Sequence, residues 1–396
     1  MENTSAKKAA MLILLAAAIS AGPAAASAQP ARDNTGKAGQ ASSAAAPITG
    51  SRQGDSLATG KRYAVTTLSA NYLREKPDFT AELGNQLLMG TPVVIIGEES
   101  YWRQVLSPDP YTAWCVDLGL REMSAEEISA YIAEEKVICT ADYSKVLARP
   151  SGRALKICDI VSGDLLRIRR KTPGKYLEVL LPSGETGYVR KKDTETFRTW
   201  AFSREASAAN IMDTATDFLG VPYLWGGTSI KGVDCSGFTR MVWFLNGVLL
   251  PRNASQQAAI GEPVEIDPDT EKFPVDSSGK YLDDPRFRQE MTRRTSNLRK
   301  GDLIFFGTPA PGNPGTGQAG RAGKDRITHV GIYIGNGKFI HASRYVRINS
   351  LIPGEPDFHE ISGRLIRARR VIGHEGTPGI TRITGSPAYF PCSDTK

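Results

Sequence analysis

The chain has 396 residues, with 49 Lys and Arg against 42 Asp and Glu, a net charge of +7, and only 4 His and 5 Cys. This mild basic balance favours anionic polymers or simply aids solubility, and nothing in it points to nucleic acid. No CxxC or HExxH spacing occurs and the histidines are too few for an independent zinc site, so neither a metal nor another cofactor is expected.

At the start, Lys7 and Lys8 precede the apolar run 11–19, and Ala26-Ser27-Ala28 before Gln29 has the small-residue form of a signal-peptidase site. Residues 1–28 are predicted to be a signal peptide cleaved after Ala28; losing Lys7, Lys8 and Glu2 lowers the net charge from +7 to +6. The apolar run is shorter than the about 20 residues a membrane-spanning helix needs, and no cysteine follows it to take a lipid. The expectation is an exported protein, periplasmic or secreted, with no transmembrane anchor. Residues 29–58, rich in Ala, Ser, Gly, Gln and Thr, cannot bury a core and read as a disordered linker.

Short alternating segments follow, at 64–68, 71–74, 92–96, 102–106 and 113–116, separated by turn residues; five short strands at this spacing predict a small barrel over 59–122. A second set at 137–140, 145–148, 165–169, 176–181 and 186–189 predicts another over 137–196. The sets end alike: Trp102-Arg103-Gln104-Val105 then Ala113-Trp114-Cys115-Val116, against Tyr176-Leu177-Glu178-Val179 then Thr186-Gly187-Tyr188-Val189. Between them Ser124-Ala125-Glu126-Glu127 has the form of a capping box, opening a linker helix within 123–136.

The last segment, 197–396, carries the chemistry. Phe238, Met241, Val242 and Leu245 recur at the spacing of one buried helix face, which puts Cys235 near a helix start. Free backbone amides and the helix dipole stabilise a thiolate there. The flanking Asp234 and Ser236 argue against an apolar slot. A base must come from His329, His341, His359 or His374, since there are no others. His329 shares one face of an alternating strand with Gly331 and Tyr333, and residues 338–343 return beside it. A two-residue turn at Asn336-Gly337 would send His329 and His341 to opposite faces. Bringing them together requires an odd-length loop or a bulge that pairs Gly331 with His341.

Four motifs, in order, resemble the NlpC/p60 family of cysteine peptidases over roughly residues 205–373: Tyr223-Leu224-Trp225-Gly226-Gly227, Asp234-Cys235-Ser236-Gly237-Phe238, Gly301-Asp302-Leu303-Ile304-Phe305-Phe306, and His329-Val330-Gly331-Ile332-Tyr333-Ile334-Gly335 followed by His341. Both barrels resemble bacterial SH3-like domains. The expected fold is thus multidomain, two small all-β SH3-like barrels followed by an α+β papain-like domain. The resemblance implies Cys235 as nucleophile, His329 as base and acid, His341 as the group that orients it, and the Cys235 amide with the Tyr223 hydroxyl at the oxyanion.

Two SH3-like domains before such a domain is the arrangement of the gamma-D-glutamyl-L-diamino acid peptidases. That resemblance implies cleavage of murein peptides with a free N-terminal L-Ala, the first barrel closing the cleft. Glu82 and Tyr111 would face the substrate's amine, Asp234 would lie near it, and Ser236 near the D-Glu α-carboxylate. Asn253 stands where an aspartate is common, which weakens amine recognition unless Asp234 and Glu82 compensate, and Ser255 replaces a hydroxyl missing at Ala254. The implied partner is a peptidoglycan-derived peptide met by a monomer. The competing readings are an endopeptidase on intact stems with the barrels on the wall, a silent wall-binding protein, and, more remotely, an acyltransferase.

Five cysteines leave at least one unpaired, with Cys235 the natural free one. Cys115, Cys139, Cys158 and Cys392 are candidates for pairing, Cys139 and Cys158 being nearest in sequence, or for buried thiols. The stretches 262–296 and 308–326 read as long irregular loops beside the histidine strand, forming a cleft wall or surface decoration.

Overall fold

The computed structural model describes residues 61–266, 284–309 and 325–391. The signal peptide, the linker 29–58, Cys392 and the middle of both expected long loops lie outside them.

The first seven strands are β1 (Arg62–Thr66), β2 (Asn71–Arg74), β3 (Leu83–Leu87), β4 (Pro92–Glu99), β5 (Trp102–Leu106), β6 (Thr112–Val116) and β7 (Leu120–Met123), ordered β3-β2-β6-β5-β4-β1-β7 in one sheet. The next seven are β8 (Lys136–Cys139), β9 (Tyr143–Leu147), β10 (Lys156–Val161), β11 (Leu165–Arg170), β12 (Tyr176–Leu180), β13 (Thr186–Arg190) and β14 (Thr194–Thr196). Their order, β10-β9-β13-β12-β11-β8-β14, is the first order advanced by seven. The repeat read from the two similar ends therefore extends to whole sheets.

Each set gains two strands that alternation does not mark. In β3, Leu83-Gly84-Asn85-Gln86-Leu87 buries two polar residues, Asn85 and Gln86, so its pattern does not read as apolar-in, polar-out. Neither sheet closes into a barrel, because their end strands do not pair with each other. The outer side of β3 is engaged elsewhere: the Gln86 amide donates to Thr228 Oγ1 at 3.2 Å, and that hydroxyl donates to the Gln86 carbonyl at 2.6 Å.

Between the sheets in sequence lies α1 (Ala125–Ala133), inside the expected span 123–136. Ser124 Oγ accepts from the Glu127 amide at 3.2 Å while Glu127 accepts from the Ser124 amide at 2.8 Å, the reciprocal capping its sequence indicates. The buried Tyr131 hydroxyl donates to the Gly90 carbonyl at 2.9 Å, tying the helix to the first sheet.

The remainder is α+β. Helices α2 (Phe197–Ser203) and α3 (Ala208–Asp217) lead to a ribbon of β15 (Thr228–Ser229) and β16 (Gly232–Val233), then α4 (Cys235–Leu245). A short β17 (Val248–Leu249) precedes α5 (Ala254–Gln257) and β18 (Glu262–Val264). There follow α6 (Pro285–Thr295), β19 (Leu303–Thr308), β20 (Arg326–Gly335), β21 (Lys338–Ser343), β22 (Tyr345–Ser350), β23 (Leu365–Arg370) and β24 (Thr381–Arg382), the last pairing with β17. Six of these make an antiparallel sheet, β18-β23-β19-β20-β21-β22. Helix α4 packs on it through Phe238, Met241 and Val242, all fully buried, and α6 brings Phe287 and Met291 to Phe306 and Phe339. The stretch 262–296 is thus not irregular throughout. It begins as β18 and ends as α6, whose start is set by Asp284 accepting from the Arg286 amide at 2.8 Å.

One core spans the parts. Leu88 of the first sheet region and Ile138, Val161 and Leu165 of the second join Trp200, Phe244 and Tyr389 in a single buried cluster. A buried ion pair, Arg240 on α4 with Asp109 at 2.9 Å, adds a charged tie. Cys115, Cys139, Cys158 and Cys235 are all free thiols. Among the described residues no helix is long and apolar enough to cross a membrane.

Candidate active site

Asp234 is the N-cap of α4, accepting from the Gly237 amide at 2.7 Å. Position 237 admits only glycine, since a Cβ there would lie 1.9 Å from the Gly227 carbonyl oxygen. The two motifs Trp225-Gly226-Gly227 and Cys235-Ser236-Gly237 are therefore one packed unit. Cys235 opens the helix and is buried, and the backbone amides of Val330 and Ser236 act on its sulfur, favouring its charged form. The first of these puts the thiol beside β20, one residue along from His329.

Burial opposes the expected thiolate. Burial pushes the Cys235 thiol up to about 12, with Asp234 adding to it, against the pull of the two amides and Arg252. Desolvation of the charged sulfur outweighs the helix end. Both histidines are held neutral, pushed down first by burial. His359 and the positive Arg364 lower His329 further by opposing a second positive charge, and for His341 the neighbour His329 adds to burial.

The histidines meet as the register argument requires. His329 Nε2 stands 2.7 Å from His341 Nδ1 with the rings perpendicular, and His341 is fully buried. The turn is Asn336-Gly337, both at positive φ, but the register shifts between Tyr333 and Gly335. That bulge leaves Ile332 opposite Ile340 and Tyr333 opposite Phe339, so Gly331 falls opposite His341. A Cβ at 331 would sit 3.2 Å from His341 Cβ and 3.0 Å from Phe339, which is why glycine separates the pair. His341 Nε2 lies 3.0 Å from Asn349 Oδ1, a contact the sequence reading did not anticipate; its only signal was a polar residue at a sheet-facing position of β22.

Arg252, also unassigned from sequence, is 2% exposed and holds both oxygens of Asp234, at 3.1 and 2.5 Å, and Ser236 Oγ at 2.9 Å. Asp234 additionally accepts from the Gly226 amide at 3.0 Å and from Ser236 Oγ at 3.2 Å. Its carboxylate is thus saturated by the protein itself. The Arg252 charge acts on Cys235, Tyr223 and Tyr111, which places all four in one neighbourhood. Tyr223 is half-buried, and burial followed by Cys235 raises its hydroxyl.

Tyr111 donates its hydroxyl to Glu75, not to Glu82. Glu82 is exposed, and it is its backbone carbonyl that meets this corner, accepting from the Glu75 amide at 3.0 Å. Asn253 is the exposed N-cap of α5, its amide donating to Gln256 at 3.1 Å. Ser255 is exposed and Ala254 packs against the core. Gln257, also missed, is fully buried and donates to the Ser236 and Pro251 carbonyls at 3.1 and 2.9 Å, fixing α5 to α4.

A buried thiol at a helix start, an imidazole next in sequence to Val330, whose amide acts on that thiol, and a second imidazole behind the first are thus brought together as Cys235, His329 and His341. Residues 220–359 match the NlpC/P60 family, and this part of the chain is an NlpC/P60 domain preceded by a large all-β region. The chain is 28% identical over 280 residues to a gamma-D-glutamyl-L-lysine dipeptidyl-peptidase of Bacillus cereus, covering 69% of this chain and 71% of that one. It is 29% identical over 306 residues to dipeptidyl-peptidase 6 of Lysinibacillus sphaericus, covering 75% and 94%. With the murein DD-endopeptidase MepS/murein LD-carboxypeptidase of Escherichia coli K12 the likeness is 32% over 165 residues, 41% of this chain and 63% of that one. A crystal structure of an NlpC/P60 family protein from Bacillus cereus shares the fold, with a TM-score of 0.56 at 24% identity, over 78% of this chain and 99% of that one.

Proposed function

We propose that the protein is a cysteine peptidase that hydrolyses the bond between the γ-carboxyl of D-Glu and an L-diamino acid in murein peptides with a free N-terminal L-Ala, releasing L-Ala-γ-D-Glu. The observation that carries this reading is the extent of similarity. The dipeptidyl-peptidases match over 280 and 306 residues, well beyond the catalytic domain, whereas the endopeptidase matches over 165. What the longer matches add must include part of the all-β region, whose first sheet carries Tyr111, bonded to Glu75 and within reach of the Arg252 charge.

In this mechanism the Cys235 thiol gives its proton to neutral His329 as the sulfur bonds to the γ-carbonyl carbon. The Cys235 amide and the Tyr223 hydroxyl take the oxyanion. His329 then returns the proton to the diamino acid's leaving amine, and water, deprotonated by His329, cleaves the thioester to free the dipeptide and restore the thiol. Glu75, oriented by Tyr111, pairs with the L-Ala ammonium, since Asp234 is already saturated by Arg252. Ser236, Ala254 and Ser255 line the D-Glu side, and Asn253 serves as a cap.

We read the two seven-stranded sheets as SH3-like domains over 59–122 and 137–196, joined by 123–136, with the peptidase over 197–396. The enzyme acts as an exported monomer on wall-derived peptides. The test compares L-Ala-γ-D-Glu-L-Lys and its meso-diaminopimelate analogue with their N-acetylated forms. Free tripeptides should release L-Ala-γ-D-Glu, acetylated ones far more slowly, and Cys235→Ala should release none. Equal rates on both forms would instead favour an endopeptidase of the same chemistry, acting on intact stems.

A further inference from the structure

The side chains behind His329 continue past His341 in a line that ends on a backbone carbonyl. Asn349 Nδ2 donates to the Asp357 carbonyl oxygen at 2.7 Å, and its Oδ1 faces His341 Nε2 at 3.0 Å. His341 Nδ1 in turn faces His329 Nε2 at 2.7 Å. The Asp357 carbonyl also accepts from the Ser350 amide at 2.9 Å. A carbonyl oxygen can only accept, which fixes the direction of every link before it. The Asn349 atom facing Asp357 must be the amide nitrogen, so the oxygen faces His341. His341 must then carry its proton on Nε2 and leave Nδ1 bare, and His329 must place its proton on Nε2 and leave Nδ1 as its lone pair.

We propose that Asn349 is a positioning residue that sets the tautomer of His341 and, through it, that of His329, so that the Nδ1 lone pair of His329 is the base presented to the Cys235 thiol. The proposal rests on the peptidase reading of Cys235 and His329. Asn349 never touches substrate; it acts through two imidazoles. The anchor is itself pinned: Asp357 pairs with Lys338 on β21 at 3.1 and 2.9 Å, so the carbonyl is held against the hairpin that carries both histidines. His359 lies edge-on to His341 at 5.1 Å between centroids, and its own Nδ1 accepts from the Ile361 amide at 3.2 Å, so it does not compete for the line.

Two measurements test this. With four histidines in the chain, two-bond proton–nitrogen correlation spectra of the full protein near neutral pH resolve each ring. His341 should show a protonated Nε2 and a bare Nδ1; a proton on Nδ1 overturns the proposal without any activity being measured. Asn349→Leu keeps the branched shape, at a somewhat larger volume, but cannot accept. It should shift His341 toward the other tautomer and lower kcat on the free tripeptide by about 10- to 100-fold with KM little changed. Asn349→Asp restores an acceptor and should recover kcat to within about tenfold of the native enzyme. Equal losses in the Leu and Asp variants, or native kcat in the Leu variant, overturn the role of Asn349. Absence of activity on every peptide would sink the peptidase reading alone, and the native spectra would still decide the tautomers.

Discussion

At the scale of single residues, the two carboxylates of the β2–β3 hairpin separate by what they touch. Glu75 receives the Tyr111 hydroxyl, whereas Glu82 presents only its backbone to the same corner. Both side chains are exposed, and an ammonium paired with an exposed carboxylate is worth at most about 1 kcal/mol, or roughly fivefold in affinity. Glu75→Gln should therefore raise KM for the free tripeptide by about three- to fivefold while leaving the slow acetylated substrate unaffected. Glu82→Gln should stay within about twofold of native on both, because an exposed side chain without a fixed partner contributes little. The opposite ranking, read from steady-state kinetics, would return the role to Glu82. The contrast also marks the limit of legibility in the site. Cys235, His329 and His341 lie in motifs whose meaning is local, a glycine turn before a helix and an alternating strand. Glu75, Arg252 and Asn349 act across strands or between helices, and nothing in their own neighbourhoods distinguishes them from surface residues until the partners are placed.

At the scale of elements, the hairpin of β20 and β21 was readable to its register but not to its turn. Asn336-Gly337 is a two-residue turn, which taken alone puts His329 and His341 on opposite faces; the bulge between Tyr333 and Gly335 moves the register by one and reunites them. Demanding that two polar residues share a face fixes the parity, whereas the choice between a longer loop and a bulge belongs to local backbone geometry. Strand β3 was illegible because its buried polar residues, Asn85 and Gln86, bond to partners that sequence does not display. The hairpin also predicts an acid sensitivity. Both imidazoles are pushed below 6.5 in the fold, mainly by burial, with Arg364 near His329, Arg347 near His341 and His359 near both opposing a further positive charge. The unfolded chain thus binds more protons than the native one below 6.5, and stability is full above that pH and falls as pH drops through it. The double variant His329→Gln/His341→Gln should lose less stability than the native protein between pH 7 and about pH 5, followed by urea unfolding at each pH. Parallel curves for the two proteins would show that these rings titrate freely in the fold.

At the scale of the whole molecule, the first sheet matters to the reaction only if it is held rigidly against the catalytic domain. The joint is a polar seam between β3 and β15. Gln86 Oε1 accepts from the Thr228 amide at 2.9 Å and from Ser229 Oγ at 3.0 Å, and Thr228 Oγ1 bonds both Asn85 and the Gln86 backbone, all of them essentially excluded from water. Gly226, two residues before Thr228, lies so close to Leu83 that a Cβ there would stand 2.3 Å from the Leu83 carbonyl oxygen. The strand after Glu82 therefore sits directly on the turn that leads to Cys235. Gln86→Ala leaves a buried amide and a buried hydroxyl without their acceptor, which costs about 1–3 kcal/mol. The variant should lower Tm. If the seam holds the amine pocket closed, it should also shrink the ratio of kcat/KM for free over acetylated tripeptide, while alkylation of Cys235 by iodoacetamide proceeds at the native rate. Lys231, at the end of the same ribbon, pairs with Asp159 of the second sheet at 2.5 Å, so that both sheets bear on one ribbon. Lys231→Ala removes a partly exposed pair, worth at most about 1 kcal/mol, and should leave the ratio unchanged. A ratio that survives Gln86→Ala despite a lower Tm would confine the seam to stability and move the source of amine selectivity to Glu75 and Tyr111 alone.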